Sequence, residues 1–197
     1  MPYLSCHHAV AAVDTDAAPQ LPTVAAVDTD AAPQAFQPVN YLWQQHQSSL
    51  LGVNILKKHV PRTVKKTVAQ KTQPTTCVNV RGDGNCFYRV ISLAVSGSEV
   101  NHNVIRQQLI AYMMTDRINM QLSKMYPSFN IASAADSGEW AFDAELFSAA
   151  AYLQTDIVIY TAHGWHTYGA QTLGNKIHAC SIYVKHCQNH FYFVKNI

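Results

Sequence analysis

Apolar positions recur at helical spacing through the middle of this 197-residue chain and turn to strand-like alternation near its end. Leu42, Trp43, His46, Leu50, Val53 and Leu56 fall roughly on one face, with Gln, Ser and Lys opposite, which predicts a short amphipathic helix between Asn40 and His59. Cys77 to Val80 is a short β-prone run, with Cys77 expected in the core. Phe87, Val90, Ile91 and Ala94 predict a helix from Cys86 to about Val95, stopped at Gly97. Val104, Ile105, Leu109, Tyr112 and Met113 predict a second, capped by Asn101 or Asn103. Arg117 to Met125 gives a third piece, ended by Pro127. A further helix is expected over Ser137 to Leu153, with Asp136 or Ser137 as cap and Trp140, Leu146, Ala149, Ala150 and Leu153 as its stripe. Strands follow: Ile157 to Tyr160, Trp165 to Tyr168 after a turn at Ala162-His163-Gly164, Ile177 to Lys185 beyond Gly174-Asn175, and His190 to Val194. Helices first and a small, mostly antiparallel sheet late indicate α+β, whereas regular alternation would signal a doubly wound fold.

The first third has a different texture. Val10 to Gln20 recurs unchanged at Val24 to Gln34, and Ala, Pro, Asp and Thr carry too little bulky apolar surface to offset the entropy of ordering a backbone. Residues 1–39 are therefore expected to be a disordered tail, 40–75 a short helix with a linker, and 76–197 the chemical domain. Charge follows the same division. Asp14, Asp16, Asp28 and Asp30 are the only charged side chains before Phe36, while Lys57, Lys58, Arg62, Lys65, Lys66, Lys71 and Arg81 stand in a stretch without acids. The lysines are scattered, which suits a solvated linker, and a net charge of +2 is too small a field to argue for nucleic acid.

Chemistry concentrates in Arg81-Gly82-Asp83-Gly84-Asn85-Cys86-Phe87-Tyr88-Arg89. Two glycines and an Asn make a turn that feeds a helix, so Cys86 opens that helix, where unpaired backbone N–H groups favour a thiolate and can bind an oxyanion. The string from Asp83 to Arg89 resembles the nucleophile motif of the ovarian tumour (OTU) family of papain-like cysteine proteases, most of which are deubiquitinases. The resemblance implies that Cys86 is the nucleophile and that Asp83, Gly84, Asn85 and Cys86 shape the oxyanion hole through their backbone. The Asn103 to Met113 text and the Trp140 helix also resemble that family's helices.

A cysteine protease needs a base, and the chain holds ten histidines. His190, in Gln188-Asn189-His190-Phe191-Tyr192, stands near the C-terminus and precedes an aromatic, as the family's catalytic His does. The family commonly carries Asp or Asn two residues further on to orient the imidazole, and this chain has Tyr192 there. Asn189 is the nearest polar substitute, with Asp83, Tyr192 itself or a residue distant in the sequence as the other candidates. A bare Cys-His dyad would retain part of the activity, and an imidazole served only by Tyr192 would be poorly held. A zinc site built from His178, Cys180, His186, Cys187 and His190 is disfavoured by ligand spacing and by the apolar residues between them.

By resemblance the reaction is hydrolysis of a peptide or isopeptide bond after the ubiquitin C-terminus, through a Cys86 thioester and without a cofactor or metal. Rival readings are a ubiquitin-binding module that has lost its chemistry, and a cysteine hydrolase of another substrate. Five cysteines without a paired framework point to a reducing compartment, hence an intracellular protein of the cytoplasm, with a nuclear location also compatible. No apolar run is long enough to cross a bilayer. A soluble monomer whose partner is ubiquitin or a ubiquitin conjugate is the expectation.

Overall fold

A computed structural model describes residues 36–56, 73–174 and 176–197. The duplicated tail, the basic stretch from Lys57 to Lys71 and Asn175 lie outside the described residues. The elements are α1 (Tyr41–Leu50), β1 (Thr76–Asn79), α2 (Cys86–Ser96), α3 (His102–Met113), α4 (Asp116–Met125), α5 (Ile131–Ala134), α6 (Asp143–Tyr152), β2 (Asp156–Thr161), β3 (Gly164–Tyr168), β4 (Ser181–Cys187) and β5 (His190–Asn196). A single turn of 3-10 helix, Glu99–Asn101, leads into α3. The sheet runs β1-β5-β4-β2-β3, antiparallel except where β2 lies parallel to β4. The expected α+β class with a mostly antiparallel sheet is what the chain forms.

α2 is the axis of the core. All eleven of its residues are buried, because it packs on β5 on one side and on α3 and α1 on the others. Gly97 ends it with φ at +72°, the left-handed cap that glycine adopts without strain.

Residues 36–56, ahead of β1, pack against the rest of the described chain. α1 turns Trp43, Gln44, Gln47 and Ser48 inward, while Leu42 and Leu50 remain 71% and 65% exposed. The face expected from hydrophobicity is thus rotated. Gln44 Nε2 donates to the carbonyl of Ala94 (3.2 Å) and Gln47 Nε2 to that of Leu153 (2.9 Å). These carbonyls belong to the C-terminal ends of α2 and α6, which lack partners within their own helices, so buried glutamines are more useful there than leucines. Trp43 Nε1 donates to Thr155 Oγ1 at 2.7 Å. Upstream, Ser181 and the 37–39 segment exchange backbone hydrogen bonds, Ser181 N to the Gln37 carbonyl (2.9 Å) and Val39 N to the Ser181 carbonyl (3.1 Å). Residues 36–56 thus pack on the same core as the chain from Thr76 onward.

Three local expectations change. The helix expected from Ser137 begins at Asp143, where Glu145 caps the backbone N–H of Phe142 (3.0 Å), and Gly138 ahead of it has φ at +95°, outside helical space. β4 starts at Ser181 instead of Ile177. Cys77 is exposed on β1, an edge strand of the sheet.

Candidate active site

The turn before α2 is built by Asp83. Its Oδ1 accepts the Asn85 backbone N–H (3.2 Å) and Arg89 Nε (3.0 Å), and its Oδ2 accepts Arg89 Nη2 (2.6 Å). Arg89 reaches back from the next turn of the helix, so the carboxylate and guanidinium together bend the chain through Gly84, whose φ is +78°. The bidentate pair holds the Asp83 carboxyl down at about 2. Glu99 completes the arrangement by accepting the Arg81 backbone N–H (3.0 Å) and lying 3.5 Å from Arg89 Nη1. Cys86 follows as the first residue of α2 and is 5% exposed. Its N–H lies outside the helix ladder, as the first amides of any helix do. Of the four amides expected to face an oxyanion, that of Asn85 is engaged by Asp83.

The histidine arrives from the opposite end of the chain. β4 and β5 form a hairpin through Gln188 and Asn189, both left-handed (φ +50° and +59°), and Cys187 pairs with His190. Phe87 and Phe191, each the residue after its candidate, meet edge to face at 5.5 Å, which brings the start of α2 against the start of β5. Gly82 lies against the imidazole: a Cβ there would stand 3.5 Å from His190 Nδ1 and 3.6 Å from Cε1.

His190 Nε2 lies 3.0 Å from Oδ1 of Asn79, the last residue of β1. An amide oxygen accepts, so Nε2–H is the donor in this contact, and Nδ1 lies on the Gly82 side. Sequence reasoning missed Asn79. Of the residues it did name, Asp83 pairs with Arg89, Asn189 lies in the hairpin turn, and Tyr192 sets its ring edge to face on His190 at 4.6 Å. Asn79 is opposite Tyr192 in the β1/β5 register, so one sequence signal did exist: a polar residue closing a strand shortly before the Cys motif.

A third segment lies over the turn. Gly84 meets Gly138 so closely that a Cβ on Gly84 would fall 1.6 Å from the Gly138 carbonyl oxygen. Asn85, 4% exposed, reaches the same segment: its Nδ2 lies 3.5 Å from Ser137 Oγ, and its Oδ1 accepts the Gly138 N–H at 3.4 Å. Arg106 of α3 donates to Asn85 Oδ1 at 2.7 Å. Among the described residues no three His, Cys, Asp or Glu side chains form a group that could hold a metal ion, and His186, from the disfavoured zinc set, stacks on Phe191. No described helix is long and apolar enough to cross a membrane.

Comparison with known proteins gives the same region a context. Residues 81–192 match the family model described as OTU-like cysteine protease. An Arabidopsis thaliana protein, ovarian tumor domain-containing deubiquitinating enzyme 7, is 29% identical over 86 residues, which are 42% of this chain and 23% of that protein. The matched part thus spans under a quarter of the relative's length. Among solved structures, the OTUD1 OTU domain aligns with a TM-score of 0.48 at 24% identity, covering 60% of this chain and 83% of that one. The Hazara virus OTU bound to ubiquitin aligns with a TM-score of 0.44 at 15% identity, covering 62% and 81%.

Proposed function

Because the chain belongs to the OTU family of cysteine proteases, we propose that it is a deubiquitinase in which Cys86 is the nucleophile, His190 the base and Asn79 the group that orients the imidazole. Proteins with OTU domains are deubiquitinases of the cysteine-protease type, and the Arabidopsis relative is named as one. The observation that carries the reading is the imidazole with Nε2 on Asn79 and Nδ1 turned to the Gly82 side of the Cys86 turn.

The proposed chemistry uses these groups in sequence. The thiol proton passes to His190 Nδ1 while sulfur attacks the carbonyl carbon at the ubiquitin C-terminus; a C–S bond forms and the carbonyl pair moves to oxygen. Turn amides not already engaged, that of Cys86 among them, meet the oxyanion. Collapse breaks the C–N bond, and the leaving amine takes its proton from the imidazolium. Water then gives a proton to Nδ1, adds to the thioester carbon and expels the Cys86 thiolate, which is reprotonated. Asn79 accepts from Nε2–H throughout, holding the ring when it is charged. No cofactor enters the scheme.

A ubiquitin probe with a C-terminal electrophile tests it. Wild type is expected to be labelled and Cys86→Ala not, with His190→Ala slowed by several powers of ten. Labelling that persists in Cys86→Ala and moves to Cys77, Cys180 or Cys187 would overturn the assignment. Unlabelled wild type that still binds ubiquitin would leave a binding module without the chemistry.

A further inference from the structure

Arg106 is a cation with 3% exposure, and among the described residues it forms no ion pair. Its donors go to oxygens of another kind. Nε and Nη2 reach the Ala134 carbonyl at 3.0 and 2.8 Å, and Nη1 reaches both the Glu139 carbonyl (3.1 Å) and Asn85 Oδ1 (2.7 Å). The guanidinium also lies over the Tyr88 ring, 4.5 Å from its centroid. Burying a charge is costly unless its partners are well placed. Here they are the residue immediately before the nucleophile and the two ends of the segment that crosses it.

The arrangement is a clamp. Two carbonyls hold 134–139 down on Arg106, and that segment holds Gly138 against Gly84, where the contact leaves no room for a Cβ. Asn85 ties the two together by accepting from Arg106 and facing Ser137 and Gly138. The backbone from Gly84 to Cys86 is thereby held by contacts additional to those of Asp83 and Arg89, and a fixed backbone is what an oxyanion hole requires, since its N–H groups must not reorganise as charge develops.

We propose that Arg106 is the positioning residue of the nucleophile turn, holding Asn85 and the 134–139 segment so that the turn amides keep the shape that receives an oxyanion. The proposal rests on Cys86 being the nucleophile. It differs from a general packing role in a measurable way, because alkylation of a thiol by iodoacetamide expels iodide and forms no oxyanion, whereas acylation does.

The test compares wild type, Arg106→Gln and Arg106→Lys in the full chain. Three quantities are read: kcat and KM on a ubiquitin C-terminal fluorogenic amide, the rate of Cys86 alkylation, and amide hydrogen exchange at Gly84 to Cys86 and Ala134 to Glu139. In Arg106→Gln, kcat is expected to fall about 100- to 1,000-fold, the range for loss of an oxyanion donor. KM and the alkylation rate should stay within about 3-fold, and exchange should quicken at the turn and at 134–139 but not in β4 or β5. Arg106→Lys keeps the charge but not the fork of donors, so it should fold and still lose most of kcat. Retained kcat, unchanged exchange at the turn, or alkylation falling in step with kcat would each overturn the proposal. Wild type without activity on ubiquitin would defeat the proposed function instead, while exchange would still decide whether Arg106 holds the turn.

Discussion

Asn79 shows how a residue's role depends on what the fold brings to it. Its sequence neighbours are ordinary strand residues, and its amide gains meaning only because β1 pairs with β5 and delivers Oδ1 to His190 Nε2 at 3.0 Å. Tyr192, at the position where the family's resemblance calls for Asp or Asn, supplies an aromatic edge in place of an acceptor. Asn79→Ala is therefore expected to lower kcat about 10- to 1,000-fold with little change in KM, as loss of an orienting group does, and Asn79→Asp should retain much of the rate. Tyr192→Asn should add little while Asn79 is present. Steady-state kinetics on a ubiquitin fluorogenic substrate decide it: full activity in Asn79→Ala would remove Asn79 from the site. The turn before Cys86 was readable, since its glycines and the helix start carry their backbone preferences locally. What Asp83 and Asn189 do was not, because each could be assigned only after its partner, Arg89 or the hairpin, was in place.

Among the elements, α1 departs most from its hydrophobic pattern. A helix was legible from periodicity, but its burial was settled by hydrogen bonding: Gln44 and Gln47 meet carbonyls at the ends of α2 and α6, and Leu42 and Leu50 are left outside. Trp43, 3% exposed and bonded to Thr155, is the anchor. Trp43→Ala should cost about 3–5 kcal/mol, the range for truncating a buried aromatic, and thermal or urea unfolding of the full chain reads it directly. A cost below about 1 kcal/mol would mean that α1 is peripheral. By the same argument a chain shortened to begin near Gln70, which composition alone suggests would keep its fold, exposes the carbonyl ends of two helices and the Trp43 site at once.

For the molecule as a whole, the buried carboxyl of Glu145 couples stability to pH. It is 1% exposed, and burial raises it to about 7, only partly offset by hydrogen bonds from backbone N–H groups and the charge of Arg106. An acid whose folded value lies above its unfolded one binds more protons in the native state between the two. The stability it contributes is complete below about 4.3, falls as pH rises, and is lost above about 7. Glu145→Gln keeps an acceptor for the Phe142 N–H and removes the titration. The variant's unfolding free energy should therefore fall less than wild type's between pH 5 and pH 8, by on the order of 3 kcal/mol. Parallel curves for the two proteins would show that Glu145 stays ionised in the native state.

The sequence by itself determined what is local: the turn that starts α2 at Cys86, the Gly97 stop, the β2/β3 turn before Gly164, the aromatic strand after His190 and the α+β order of elements. Each depends on backbone preference or periodicity within a few residues, which a single stretch of chain fully expresses. Only the tertiary structure decided what spans distance. Asn79 meets His190 across 111 positions, Trp43 meets Thr155 across 112, and Arg106 meets Asn85 across 21 and Ala134 across 28. Polar side chains such as these are compatible with exposure, capping or catalysis, and the choice among them is made by the partner that packing supplies. Hydrophobic patterning carries no record of that partner, because a buried Gln and an exposed Leu break the pattern for reasons that exist only once the helix ends, strands and loops have met.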